Sequence, residues 1–157
     1  MIADKNLTEL LDLPQSRVVG WTTVEASICF QIEFTNTAIN CPHCQALTSE
    51  LNQNRPILIR DLSVFGKPVY LRVPRRQFYC RQCQRYVTER LTWLDWRRRH
   101  TQRYEANICD RIKGASIEKV AREEGLSFDE VEGMFKSMSE AQVKKNGNQS
   151  AASVSMK

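Results

Sequence analysis

Two Cys-x-x-Cys pairs, Cys41-Pro42-His43-Cys44 and Cys80-Arg81-Gln82-Cys83, stand in this chain with residues 45–79 between them. A two-residue spacer lets both thiolates of a pair reach one edge of a metal ion, and two such pairs complete a tetrahedron. Zn2+ takes four soft or borderline ligands at about 2.3 Å for sulfur, and a shell closed by four thiolates leaves no position for water. The quartet Cys41, Cys44, Cys80 and Cys83 therefore predicts a zinc site that holds structure rather than one that performs catalysis. The competing reading is four separate thiols, or one pair engaged in redox exchange. Redox pairs favour the start of a helix in a βαβ unit, whereas both pairs here are joined by hairpin signals. Cys29 and Cys109 have no matching neighbours and read as packing residues or exposed thiols. His43 and His100 are alternative ligands only if a cysteine is missing from the shell. His100 also reads as a phosphate contact or as a plain surface residue before a helix.

With 157 residues and 41% apolar content, the chain has material for one ordinary domain or two small ones with a modest core. A metal staple helps such a core, and metal removal is expected to unfold the β domain. The first thirty residues lack the charged start, apolar stretch and small-residue cleavage site of a secretory leader, so the six cysteines read as reduced intracellular thiols. No apolar run approaches the roughly 20 residues needed to span a bilayer. The expectation is a soluble cytoplasmic protein without membrane contact.

The formal charge of +5 is unevenly distributed: residues 55–113 hold 15 Lys or Arg against 5 Asp or Glu. Arginine dominates, and guanidinium pairs two phosphate oxygens at once while shedding water more easily than ammonium. Arg72, Arg75, Arg76, Arg81, Arg85, Arg97, Arg98 and Arg99 are the DNA-binding candidates. They are interleaved with Phe78, Tyr79, Tyr86, Trp93 and Trp96, which read more readily as core residues than as base-stacking platforms. The bland alternative for such a run is a solvated face without a partner. Double-stranded DNA is the polyanion that this pattern suits, and phosphate contacts of this kind set affinity and salt dependence more than sequence choice.

Periodicity gives an α+β chain. Residues 1–14 hold a short helix, with Thr8 as its cap and Pro14 as its stop. Residues 15–92 form a zinc-ribbon-like β domain, in which Ser27 to Phe34 alternates Ile28, Phe30, Ile32 and Phe34 on one face. Ile57 to Leu62 and Val69 to Val73 are further strands around a Phe65-Gly66-Lys67-Pro68 turn. The second of these is expected to run on through Arg75, Arg76 and Phe78 into the second Cys pair, connecting the core to the metal. Residues 93–143 form a small three-helix unit. Its first helix carries Tyr104, Ile108 and Ile112 and closes at Gly114. Ser116 caps the next, Gly125 stops it, and a Ser127-Phe128-Asp129-Glu130 capping box starts the last. That is the layout of a helix-turn-helix. Asp129, Glu130 and Glu132 sit where a reading helix meets DNA; they repel phosphate, accept from cytosine N4, or simply suit the helix dipole, so DNA reading and protein contact both stay open. Residues 144–157 read as a disordered tail.

These residues taken in order, Leu10-Leu11-Asp12-Leu13-Pro14, Cys41-Pro42-His43-Cys44, Arg60-Asp61-Leu62, Gly66-Lys67-Pro68-Val69, Arg75-Arg76-Gln77-Phe78-Tyr79-Cys80 and Thr88-Glu89-Arg90-Leu91, resemble the N-terminal region of bacterial ISL3-type insertion-sequence transposases over about residues 7–138. The resemblance implies a zinc-binding domain on Cys41, Cys44, Cys80 and Cys83, a helix-turn-helix near 116–137, and in the full family a following RNase-H-like catalytic domain whose carboxylates cut and join DNA. The chain stops where that third domain would begin, so no catalytic residue carries over. Gln45 departs from the glycine common after such a knuckle. The expectation is a non-catalytic, zinc-dependent DNA-binding protein, a truncated or standalone transposase-like module that recognises insertion-sequence ends or related DNA, associates with the nucleoid, and has a full-length transposase or a second copy of itself as further partners. The alternative is a zinc-stabilised protein-interaction adaptor.

Overall fold

The computed structural model describes residues 3–154, with side chains described as far as Asn148. It is an α+β chain with two compact units that divide after Gln102.

The first unit opens with helix α1, Lys5–Leu11. Asp4 caps it by accepting from the Leu7 N–H at 3.0 Å. Thr8, the cap expected from sequence, lies one turn inside the helix. Its hydroxyl donates to the Asp4 carbonyl at 2.7 Å and accepts from the Val18 N–H at 2.9 Å, which ties the helix to strand β1. The cap moved because Asp4 lies one turn earlier, where four N–H groups need acceptors.

Strands β1 (Ser16–Val24) and β2 (Ser27–Phe34) pair antiparallel. Strands β6 (Ile57–Val64) and β7 (Lys67–Val73) form a hairpin through Phe65 and Gly66, whose φ values of 52° and 73° are both left-handed. Two left-handed residues match the right-handed twist of the flanking strands. The four make a sheet in the order β1-β2-β7-β6, with β2 and β7 parallel. Alternation along β7 buries Val69, Leu71 and Val73, and these join Val18, Ile32, Ile59, Leu13 and Trp93 in one core.

Between β2 and β6 lie the short strands β3 (Ile39–Asn40), β4 (Leu47–Thr48) and β5 (Leu51–Asn54); after β7 come β8 (Arg76–Cys80) and β9 (Arg85–Thr88). β3 and β4 form one ladder, and β5-β8-β9 form another. The single strand expected to run from the core to the metal is thus two strands in different sheets. Pro74 sits at the break, where its missing N–H ends the β7 ladder.

The first unit continues past residue 92. The Arg60 N–H donates to the Arg99 carbonyl at 2.8 Å, and the Thr101 N–H donates back to the Arg60 carbonyl at 2.9 Å. The buried Thr101 hydroxyl donates to Asp61 at 2.8 Å. Residues 99–101 thereby extend the β6 edge, so 93–102 lie with the β unit rather than with the helices. Sequence periodicity does not register a stretch that pairs for only one or two residues.

The second unit comprises α2 (Gln102–Ile112) from its second residue on, α3 (Ile117–Glu124) and α4 (Phe128–Val154). Ser116 caps α3 by accepting from the Lys119 N–H at 3.2 Å. Gly125 ends it at φ 67°, a conformation that costs glycine nothing sterically. The capping box forms as expected: the Ser127 N–H donates to Glu130 at 2.8 Å and the Glu130 N–H donates to the Ser127 hydroxyl at 3.2 Å. Ala121 and Val131, flanking the turn, are both buried, as are Tyr104, Ile108, Val120 and Met134. Helix α4 runs to Val154, so residues 144–154 are helical where composition predicts a disordered tail. All residues from 141 to 148 are exposed, and this stretch is held by its own backbone hydrogen bonds without a packed face.

Candidate metal centre and nucleic-acid interface

Each Cys pair lies at the tight connection of a short hairpin: Cys41 and Cys44 between β3 and β4, Cys80 as the last residue of β8 and Cys83 in the turn to β9. In the first, the Gln45 N–H donates to the Cys41 carbonyl at 2.8 Å and the Cys41 N–H to the Ala46 carbonyl at 2.9 Å. The four sulfurs lie within 4.8 Å of one another. Cys41 and Cys83 are 3.6 Å apart, and Cys44 and Cys80 are 3.5 Å apart. A tetrahedron with Zn–S bonds of about 2.3 Å has edges of about 3.8 Å, so the sulfurs are already spaced for one ion. The residues fit the metal, and Zn2+ is the cofactor of this centre. Among the described residues this quartet is the one group of three or more potential metal ligands brought together. His43 is exposed and lies within 3.4 Å of the Arg85 guanidinium instead, and His100 is bridged to β6. Cys29 lies half-buried on β2 and Cys109 buried on α2.

Left to themselves, four sulfurs this close do not all ionise. Cys80 is lowered to about 6, chiefly by the Cys83 backbone N–H, while Cys83 is raised to about 12, chiefly by burial and then by its sulfur neighbours. Burial pushes Cys41 up, but the N–H groups of Cys44 and His43 outweigh it and the net direction is down. For Cys44 the Ala46 N–H acts downward, and burial with the Cys80 and Cys41 sulfurs overcomes it. The backbone N–H groups thus favour the thiolate at one cysteine of each knuckle, Cys41 and Cys80. A divalent ion supplies the charge that deprotonates the other two.

Both knuckles place a non-glycine residue in the left-handed region directly after the second cysteine, Gln45 at φ 63° and Gln84 at φ 55°. That conformation costs an L residue roughly 1–2 kcal/mol, part of which glycine returns as unfolded-chain entropy. Gln45→Gly is accordingly expected to stabilise the zinc-loaded protein by about 0.5–1 kcal/mol, measured by chemical denaturation at saturating zinc. A destabilised variant would contradict this account of the turn.

The arginines expected on a polyanion surface separate into distinct groups. Arg76 is not on the surface: its side chain is 11% exposed and that of Glu89 is 8% exposed. Its Nε and Nη2 each donate to Glu89 at 2.8 Å, and it also donates to the Asn36 carbonyl at 2.8 Å and the Asn36 side-chain oxygen at 3.2 Å. Four of the five guanidinium N–H groups are thus spent inside the protein, so Arg76 braces β8 to the loop after β2 and is removed from the phosphate candidates. Arg81 is exposed and bonded to Glu50 at 2.6 Å. Arg85 is exposed beside His43. Arg72, Arg97 and Arg99 are exposed, and Arg75 and Arg98 are half-buried.

A cavity of about 450 Å³ gathers Arg75, Arg97, Arg98 and Arg99 in one place, together with Trp96 and Arg90. The guanidinium carbons of Arg75 and Arg90 lie 4.9 Å and 4.5 Å from the Trp96 ring centroid, within cation–π range. Arg97 takes a left-handed φ of 63°. Sequence reading did not assign Arg90, which stands alone after Glu89 instead of within a basic run. The signal that locates it is tertiary, the return of residues 89–99 to the β7 to β8 corner.

In the second unit, Asp129 and Glu130 are exposed at the start of α4, and Glu132 lies 3.5 Å from Lys136. Phe128 and Phe135 on the same helix are also exposed. Arg111 bonds Glu123 and Glu124, and the Tyr104 hydroxyl donates to Glu124 at 2.9 Å, which joins α2 to α3.

A four-cysteine zinc ribbon followed by a helix-turn-helix is the class that this fold and this quartet define. Residues 37–83 match the family model for the zinc-finger of transposase IS204/IS1001/IS1096/IS1165, and residues 89–137 match that for the helix-turn-helix domain of transposase family ISL3. The chain therefore carries the zinc-ribbon and helix-turn-helix domains of the ISL3 transposase family. It is similar to the transposase for insertion sequence element IS1001 of Bordetella parapertussis, with 31% identity over 104 residues, 66% of this chain and 26% of that protein. The chain thus spans about a quarter of the length of that relative. No solved structure matches it significantly. No described helix is long and apolar enough to cross a membrane.

Proposed function

We propose that this chain is a zinc-dependent module that binds double-stranded DNA without cutting it, recognising insertion-sequence ends or related sites on the bacterial nucleoid. The observation that carries the reading is a set of arginines, Arg72, Arg75, Arg97 and Arg99, on the zinc-bearing unit with no carboxylate partner among the described residues. Like charge gathered in this way without carboxylate partners repels itself unless a polyanion neutralises it. The matches to a zinc finger and a helix-turn-helix of transposases support the same reading. A closed four-thiolate shell offers no site for Lewis-acid chemistry, which suits holding DNA rather than hydrolysing it. Arg81, Arg85 and Arg98 extend the surface. Such a module competes with a full-length transposase for its sites or acts beside it or beside a second copy of itself.

The acidic start of α4, with Phe128 and Phe135 exposed beside it, favours a second reading in which the helical unit docks a protein. Salt separates the two. Neutralising roughly four phosphates predicts a slope of log K against log salt near −3.6, at about −0.9 for each. Arg97→Ala with Arg99→Ala is expected to flatten that slope by roughly 2 and to weaken unrelated duplexes alike. Binding that ignores salt, or is unchanged in the double variant, contradicts the DNA reading and favours the adaptor.

A further inference from the structure

We infer that the cavity lined by Trp96 receives a single unpaired nucleotide of the bound DNA, its phosphate on the arginines and its base against the Arg90–Trp96 layer. The inference rests on the DNA-binding reading and adds a substrate feature to it. A phosphate of an intact duplex reaches the arginines with its base still stacked inside the helix, and so makes no use of apolar walls. This cavity has them. Its about 450 Å³ is of a size that encloses a small ligand, and Leu91 and Leu94 line it beside the arginines. Phosphate gains nothing from leucine or indole, whereas a base is the planar, weakly polar part of DNA that does.

The charge balance points the same way. Of the two carboxylates lining the cavity, Glu89 is committed to Arg76 and Asp95 accepts from the Gln102 side chain at 2.9 Å. Arg75 and Arg90 have no carboxylate partner among the described residues and lie over Trp96. Trp96 itself is 41% exposed, so the layer is open to a ligand. Stacked aromatic and guanidinium planes are the surfaces on which unpaired bases settle.

The test uses the full zinc-loaded chain and three labelled duplexes of one sequence: fully paired, carrying one unpaired nucleotide, and carrying one unpaired abasic residue. Fluorescence anisotropy is expected to show about tenfold tighter binding of the second than the first, with the abasic duplex falling back to the paired value. Trp96→Leu and Arg90→Gln should each bring the ratio of unpaired-duplex to paired-duplex affinity down to about one, both duplexes being measured on the same variant, with zinc content and hydrogen-exchange protection of β6 and β7 serving as the check that each variant is folded. Equal affinity for paired and unpaired duplexes, or a gain that survives abasic substitution or both variants, overturns the inference while leaving the DNA reading intact. Salt-independent or absent binding of all three overturns the DNA reading. In that case a single-stranded oligonucleotide bound in a Trp96-dependent way supports the cavity assignment, and its failure to bind sinks that too.

Discussion

Cys80→Ser is expected to abolish stoichiometric zinc and to melt the ribbon while the four-stranded sheet stays folded. The reason is that the first unit has two separate cores. Around the metal, Phe78 and Val87 are the large buried side chains, joined by Cys41 and Cys80 and flanked by Ile39 and Ala46. Burying two such side chains contributes roughly 1.5–3 kcal/mol each. Ordering the backbone of strands β3, β4, β5, β8 and β9 costs about 1–2 kcal/mol per residue, which that core does not offset. Structural zinc supplies on the order of 10–16 kcal/mol in small zinc peptides, and this makes up the difference. The β1-β2-β7-β6 sheet has its own core of Val18, Ile32, Ile59, Val69, Leu71, Val73 and Trp93 and does not draw on the metal. The unfolding of the whole β domain expected from sequence thus narrows to its ribbon half. Hydrogen exchange checks it: amides of β8 and β9 lose protection in the variant, and those of β2 and β7 keep it. Retained zinc with uniform protection would contradict the two-core account.

The second large effect is at Arg76. Arg76→Ala is expected to destabilise the zinc-loaded protein by about 3–5 kcal/mol, the cost of removing one partner of a buried pair and leaving the other charge stranded. Glu89 would lose both of its 2.8 Å bonds, and the Asn36 carbonyl would lose a donor. Arg76 also packs over Phe34 at 4.9 Å and Phe78 at 5.3 Å, so it links β2 of the large sheet to β8 of the ribbon. Arg76→Lys should recover little, because an ammonium cannot reproduce the two-pronged contact with Glu89. Chemical denaturation with zinc in excess measures the loss. A change below about 1 kcal/mol, the range of an exposed pair, would show that the brace is not buried in solution.

Arg76 also shows where a sequence stops informing. Next to Arg75 in a basic run, nothing local distinguishes it, yet one of the two is braced inside and the other reaches a cavity. The difference comes from the break between β7 and β8, which leaves Arg75 outside either strand, and from Glu89 and Asn36, which are distant in sequence. Features whose physics is local were legible: the Cys-x-x-Cys spacing, the alternation of Val69, Leu71 and Val73, the Ser116 cap, the Gly125 stop and the Ser127 to Glu130 capping box all appear where the chain's own pattern puts them. The placement of residues 93–102 against β6 and the Arg90–Trp96 contact depend on long-range return of the chain and leave no periodic trace. The split of one expected strand at Pro74 lies between these cases, since the proline marks a break that hydrophobic alternation runs straight across.

Zinc K-edge X-ray absorption on the purified, reduced chain tests the central claim most directly, that one ion ties both knuckles together and so shapes the arginine surface. One zinc per chain with four sulfur neighbours at about 2.3 Å and no nitrogen or oxygen in the shell is the expected result. A mixed shell, or folded protein that holds no zinc, would contradict it.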